Sequence, residues 1–217
     1  MEYSYYCIKD RCRAGLLKYL EQAFDSVPDY TDPKILDIGC GTGVPAVWLA
    51  GHFSGSITCI DSDTQALAFL QHKIDTIGKT ITIETRNLSF ADIPDGFDSF
   101  DIILAEGFLN VVGFRTGFVK CTGLLKPGGC FVIHDEYRDH DEKLAFITEN
   151  NCVLAGTIYL DETIWWDSYY HQLEIEITKQ ENLPLRGWFG SEIEEISQYR
   201  ENPALFRSIY YIVVKSG

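Results

Sequence analysis

The residues with the most chemical potential lie at four places in the chain. Asp37 is followed by Gly39-Cys40-Gly41-Thr42-Gly43, and a second acid stands at Asp61. Glu106 and Asn110 flank a glycine-rich turn, His134-Asp135-Glu136 end an apolar run, and Trp165-Trp166-Asp167-Ser168-Tyr169-Tyr170 form an aromatic block. Alternating glycines turn the chain sharply and let a ligand lie directly against main-chain amides. A phosphate cradle does not fit the pattern. The dinucleotide motif wants a third glycine where Val44 stands, the Gly-Lys-Ser/Thr tail of a phosphate-binding loop is absent, and an acid just before the loop repels phosphate. A cationic or hydroxyl-bearing ligand suits the acid instead. His134, which titrates near neutral pH in the ordinary case, is the first candidate to take a proton from a substrate heteroatom, with Glu106 the second. Each also has a plainer role open to it: His134 satisfying a neighbouring carboxylate, Glu106 holding its loop through backbone amides.

These residues need a scaffold that delivers them to one edge. Lys34-Ile35-Leu36-Asp37-Ile38 is an apolar run typical of a buried parallel strand, and Val44 to Ala50 resumes with helical character. Pro45 suits the first helical turn, and Gly51 marks the expected stop. A second strand over 56–60 ends at Asp61, and a helix follows. Ser62-x-x-Gln65 has capping-box spacing, Ala66, Phe69, Leu70, Ile74 and Ile77 form the apolar face, and Gly78 terminates it. Further strands are expected over 80–85, 100–105, 130–134, 152–160 and 208–214, with helices over 12–25, 114–125 and 142–150 and a capped one beginning at Ser191-x-x-Glu194. In open parallel sheets the ligand crevice lies outside the carboxyl ends of the strands where strand order reverses, which gathers Asp37, Glu106 and Asn110. The aromatic block offers rigid contact area for a substrate or packing that fixes its own segment. Tyr3, Tyr5 and Tyr6 are read two ways, as lid residues or as rings on a frayed terminus.

Composition narrows the function classes. The 217 residues are most simply one domain, with 46% apolar residues and a net charge of −14, which disfavours nucleic acid because its backbone is neutralised by Lys and Arg. The seven cysteines contain no C-x-x-C pair and read as reduced thiols, and no metal site is expected. No run approaches the roughly 20 apolar residues of a membrane helix, so a cytoplasmic location without membrane insertion is the default expectation.

With these landmarks in order, Ile35 to Gly43 resembles motif I of the class I S-adenosylmethionine-dependent methyltransferases, and Leu125-Lys126-Pro127-Gly128-Gly129 resembles the turn before that family's fifth strand. The stretch from Glu106-Gly107 to Gly113-Phe114 and the late aromatic segment are also similar to small-molecule members of the ubiquinone-biosynthesis-like type. The resemblance implies a Rossmann-like α/β fold, a seven-stranded mixed sheet in the order 3-2-1-4-5-7-6 with strand 7 antiparallel. It implies residues 1–30 as an N-terminal helical or lid segment and 161–205 as an insert between the last two strands. It implies S-adenosylmethionine as cofactor and S-adenosylhomocysteine as product. Asp37 would face the methionine end, Gly39, Cys40, Gly41, Thr42 and Gly43 would line the cofactor through bare amides, Asp61 would bond the ribose hydroxyls with Ser62 beside it, and Asn87 with the Leu88 amide would read adenine, Asp92 being a rival to Asn87. Relatives often carry a bulky apolar residue after the ribose acid; Ser62 departs from this. Tyr6, Asn110, Glu136, Trp165, Trp166 and Tyr169 are the candidate substrate contacts. The expected activity is methyl transfer to a small-molecule acceptor by in-line displacement. A non-catalytic S-adenosylmethionine-binding module and, less well matched, a nucleotide-dependent oxidoreductase are the alternatives.

Overall fold

Parallel strands buried on both faces need apolar residues at nearly every position, and the central strands here meet that demand. The computed structural model describes residues 2–78, 82–94, 96–180 and 183–217. In chain order it contains α1 (Glu2–Arg13), α2 (Leu17–Phe24), β1 (Lys34–Ile38), α3 (Val44–His52), β2 (Ser56–Asp61), α4 (Thr64–Ile77), β3 (Ile83–Asn87), β4 (Phe100–Glu106), α5 (Leu109–Val112), α6 (Phe114–Leu124), β5 (Leu125–Glu136), α7 (His140–Glu149), β6 (Cys152–Leu160), α8 (Glu162–Trp165), α9 (His171–Thr178), α10 (Leu183–Gly187), α11 (Gly190–Glu201) and β7 (Ser208–Lys215). The seven strands form one sheet in the order β3-β2-β1-β4-β5-β7-β6. Strands β1 to β5 run parallel, and β7 is antiparallel to both β5 and β6. The expected Rossmann-like topology is therefore present.

Alternate residues of each central strand feed two apolar layers. Ile103, Phe131 and Tyr211 pack on one face of the sheet, while Ile102, Val132 and Tyr210 pack on the other with Leu49 and Leu70. A third cluster does not belong to the sheet. Tyr5, Tyr6 and Cys12 of α1 pack with Tyr169, Tyr170, Leu173, Phe189, Ile196 and Tyr199, so the N-terminal helix and the late insert form a cap.

Several local expectations are corrected. The predicted helix over 12–25 is broken by a 3-10 turn at Ala14–Leu16, and the helical structure begins much earlier, at Glu2. Gly15 permits this crossing, since a Cβ there would lie 2.2 Å from the Ser168 carbonyl oxygen. Tyr5 and Tyr6 are buried in α1 rather than frayed. The α4 N-cap is Asp63, whose carboxylate accepts from the Gln65 and Ala66 amides; Ser62 lies one residue outside. Helix α11 starts at Gly190, so Ser191 is already within its first turn and its hydroxyl donates to Glu192 instead of capping. The Lys126-Pro127-Gly128-Gly129 segment is an irregularity inside β5 rather than a turn before it: Phe100 pairs with Leu125 and Ile102 with Cys130, so two steps on β4 span five on β5, a bulge that Gly128 at φ +74° permits. The third strand runs later than expected, over Ile83–Asn87, and positions 80–81 of the expected strand lie outside the described residues. Helix α3 runs through Gly51 to His52.

Candidate functional site

The glycine loop follows β1 as a left-handed staircase. Gly39, Gly41 and Gly43 have φ of +68°, +51° and +72°, a region costly for any side chain. Added methyl groups would also collide: 2.6 Å from the Phe108 ring at Gly39 and 2.4 Å from Leu70 at Gly43. At Gly41 a Cβ would meet nothing within 4 Å, so this glycine borders open space. The amides are not bare. Gly39 and Cys40 donate to the Ile60 carbonyl, Gly43 to the Cys40 carbonyl, and Gly41 to Asp61 at 2.8 Å. The loop is held rigid by its own hydrogen bonds, and the glycines serve close approach more than direct amide recognition.

Three adjoining cavities open along the carboxyl edge of the sheet. The first, about 230 Å³, is lined by Ile38, Gly39, Ile60, Asp61, Ser62, Leu88, Phe90 and Phe108. Phe90 and Phe108 meet edge to face at 5.1 Å, and they supply the apolar surface that Ser62 lacks. Asn87 is not in this wall; its carboxamide donates to the Asp61 and Ser62 carbonyls, and the Leu88 amide donates to the Asp61 carbonyl. Both adenine-reading groups are thus spent on fastening β3 to β2. Asp92 lies in a 3-10 turn with its side chain exposed.

The second cavity, about 300 Å³, is bordered by the loop residues Gly39, Cys40, Gly41 and Thr42, by Asp37, Asp63 and Glu106, and by Tyr5, Tyr6, Lys9, Asp10 and Arg13 of α1. Asp37 is buried at 2% exposure, and its Oδ2 has no hydrogen-bond partner. Burial first, then the charges of Glu106 and Asp61, hold its carboxyl well above the usual range. Asp37 borders the second cavity while its Oδ2 is itself sealed, a buried acceptor without a donor. Asp61 uses one oxygen on Gly41 and the other on the Asp63 amide at 2.8 Å. Helix α1 is pinned over the loop: Thr42 donates to Asp10 at 2.5 Å, and Lys73 pairs with Asp10 at 2.6 Å.

The third cavity, about 840 Å³, contains Asn110, His134, Glu136, Trp165 and Tyr169 of the expected substrate contacts. It shares Lys9, Arg13 and Tyr169 with the second. Tyr6 faces the second cavity only. Trp166 faces neither; it stacks on Tyr199 at 5.5 Å with the Arg200 guanidinium over its own ring at 5.2 Å, so this part of the block packs. Neither candidate base is free. Glu106 pairs with Arg13 at 3.3 Å and accepts from the Tyr210 hydroxyl. His134 is 3% exposed, hydrogen-bonded to Ser208 through Nε2 at 2.9 Å and stacked on Tyr210 at 4.2 Å. Burial pulls its pKa down to about 4, so it is neutral at physiological pH and a poor proton acceptor, which corrects the expectation placed on it.

Residues 35–129 match the methyltransferase-domain family. The matched stretch holds the glycine loop, Asp61, Glu106 and the β5 bulge. Over that stretch the chain is similar to S-adenosylmethionine-dependent methyltransferases. An O-methyltransferase of Penicillium expansum is 32% identical to this chain over 110 residues, 49% of this chain and 39% of its own. The chain spans about half the length, or less, of the curated relatives it matches, 52%, 39% and 49% for three of them. Among solved structures, a methyltransferase of Thiobacillus denitrificans in complex with S-adenosyl-L-homocysteine superposes with a TM-score of 0.70 at 14% identity, covering 92% of this chain and 91% of its own. The [4+2]-cyclase SpnF superposes with a TM-score of 0.74 at 15% identity, covering 92% and 80%.

Sequence reasoning expected a helical or lid segment over residues 1–30 and singled out Tyr6, but it missed Lys9, Asp10 and Arg13 of α1, which border the second cavity. Tyr5, Lys9 and Arg13 recur at four-residue intervals and so share one helix face, and that spacing was a usable signal. It was overlooked because the helix was expected to begin at residue 12. Ser208, Tyr210 and Glu195 come from distant segments, and nothing local announced them.

Proposed function

We propose that the chain binds S-adenosylmethionine across the first two cavities and transfers its methyl group to a small-molecule acceptor held in the third. The observation that carries this reading is the orphaned Asp37 oxygen at the floor of the middle cavity, beside a loop whose Gly41 opens on free space. Phe90, Phe108 and Leu88 suit a flat base, Asp61 suits a sugar diol, and Asp37 with Glu106 suits the cationic end. Bound there, S-adenosylmethionine would supply an already activated methyl group on a sulfonium.

The chain's own residues then have three tasks. The rigid loop and Asp61 orient the donor, α1 and the aromatic insert exclude water, and Lys9, Arg13 and Tyr169 frame the junction of the two chambers where donor and acceptor would meet in line. His134 and Glu106 are both engaged, so the acceptor nucleophile arrives deprotonated or loses its proton to another group or to solvent. The same feature favours a second reading, a binding module without turnover. Net charge of −14 supports a small molecule over nucleic acid.

Titration calorimetry with S-adenosylmethionine and an Asp61→Ala variant tests the donor site. The variant is expected to lose about 1.5–3 kcal/mol of binding, the worth of hydrogen bonds to a charged group; equal affinity would defeat the assignment. A methyl-acceptor screen with labelled donor, read by product mass, separates the enzyme from the binding module.

A further inference from the structure

His134 sits in the wall of the largest cavity with a hydrogen-bond arrangement that defines its tautomer. The indole Nε1–H of Trp165 lies 2.9 Å from the Ser208 hydroxyl oxygen, and indole can only donate. Ser208 is buried, and its oxygen also lies 2.9 Å from His134 Nε2. Among the described residues these are the Ser208 hydroxyl's only two side-chain partners. Since the indole fills a lone pair of the oxygen, the one side-chain acceptor in reach of the hydroxyl proton among the described residues is His134 Nε2. A neutral imidazole whose Nε2 accepts must carry its proton on Nδ1.

The other nitrogen is the informative one. Nδ1 makes no hydrogen bond to a described residue, and it is not among the sealed, unpartnered atoms, which are one oxygen each of Asp37 and Asp135. It therefore opens on the cavity that His134 lines. Stacking fixes its direction: the imidazole is parallel within 7° to both the Tyr210 ring at 4.2 Å and the Trp165 ring at 5.8 Å.

We propose that Trp165 and Ser208 form a relay that locks His134 as the Nδ1–H tautomer, and that this N–H is a donor recognising an oxygen lone pair on the substrate, a carbonyl, carboxylate or phenol-type oxygen. The role inverts the one a histidine at a strand end suggests: it gives a hydrogen bond and takes no proton. Assigning the cavity to the acceptor rests on the methyltransferase reading above; the tautomer does not. Burial supports the assignment, because the ring stays neutral down to about pH 4. The charged and titratable groups around it are Glu106 at the end of β4 and Arg13 on α1, which form a pair at 3.3 Å, and Tyr210 on β7, whose hydroxyl is held by Glu106.

The experiment uses the full chain with 15N-labelled histidine. Correlation spectra at neutral pH assign the protonated nitrogen of each of the five histidines, and the His134→Asn spectrum identifies the signal that belongs to position 134. The expected result is a protonated Nδ1, which Ser208→Ala converts to a mixture by releasing Nε2. A native signal with the proton on Nε2 overturns the relay. With an acceptor found by the labelled-methyl screen, His134→Ala is expected to raise KM about tenfold, the worth of one neutral hydrogen bond. His134→Asn, whose amide nitrogen stands where Nδ1 stood, should restore most of it, whereas a proton-accepting histidine could not be replaced by an amide. Asparagine performing no better than alanine overturns the donor role. If no acceptor is methylated, the functional reading fails separately, and the nitrogen spectrum still decides the relay.

Discussion

The sharpest consequence of the site concerns Asp37. Its Oδ2 is sealed without a partner and its carboxyl is held well above the usual range, chiefly by burial and then by Glu106 and Asp61. An acid whose folded pKa is raised binds its proton in the native state at pH values where the unfolded chain has lost it. Its contribution to stability therefore declines as pH rises from the ordinary aspartate range through the elevated folded value. Replacement by Asn removes that decline. Asn cannot ionise, so Asp37→Asn is expected to stabilise the ligand-free protein at neutral pH by about 1.4 kcal/mol for each pH unit by which the fold raises the carboxyl. For a chain of this size each kcal/mol moves the melting midpoint by about 2–4 °C, and a rise of several degrees should appear in scanning calorimetry. Affinity for S-adenosylmethionine moves the opposite way, falling by about 1.5–3 kcal/mol, roughly 10- to 150-fold, through loss of a charge-assisted contact. Native binding should also release a proton, visible as a dependence of the apparent enthalpy on buffer ionisation heat. A lowered midpoint, or an unchanged affinity, would refute the placement of Asp37 as a strained acid awaiting a cation.

Three other perturbations test the scaffold. Gly43→Ala places a methyl at φ +72° and 2.4 Å from Leu70; backbone strain and overpacking together should cost about 2–4 kcal/mol, read as a lowered urea midpoint. His134, neutral when folded with a pKa of about 4, should make the native state lose stability as pH falls from about 6.5 towards 4, because the unfolded chain gains a proton that the folded chain refuses. The loss over that window is about 3 kcal/mol, and His134→Asn should flatten it in pH-dependent denaturation. Arg13→Met leaves Glu106, whose side chain is 10% exposed, facing only the Tyr210 hydroxyl; a loss of about 1–3 kcal/mol and faster amide exchange in α1 are expected, and unchanged exchange would show that the Glu106 pair does not anchor that helix.

The parts of this molecule that a reader of the sequence can recover are those whose causes are local. Strand, staircase and helix from Lys34 to Ala50 are punctuated by glycines at left-handed positions and a proline in the first turn, each explicable within a few residues. The sheet order required the family resemblance, since strand pairing is long-range. Cap positions slipped by one residue because Ser62 and Asp63 are both good caps, and only the bond to the Ala66 amide distinguishes them. The early start of α1 and the partners of its polar face escaped detection for a different reason. That face is satisfied by Glu106, Glu192 and the Thr42 loop, at sequence separations of 93, 183 and 32 residues, so local patterning makes the helix look like a solvated terminus. His134 was placed correctly at the strand end and misjudged in chemistry, because its proton affinity is decided by burial under Trp165 and Tyr210, and its tautomer by Ser208, seventy-four residues away.

The cap formed by α1 and the late insert divides inheritance as well as space. The first two cavities draw most of their surface from positions before 110, and the third draws most of its surface from positions after 160. A graft of the later segment from a relative could therefore alter which molecule is methylated while leaving donor affinity intact. Lys9, Arg13 and Tyr169 serve both chambers, and compatibility at those three positions would set how far such an exchange can go.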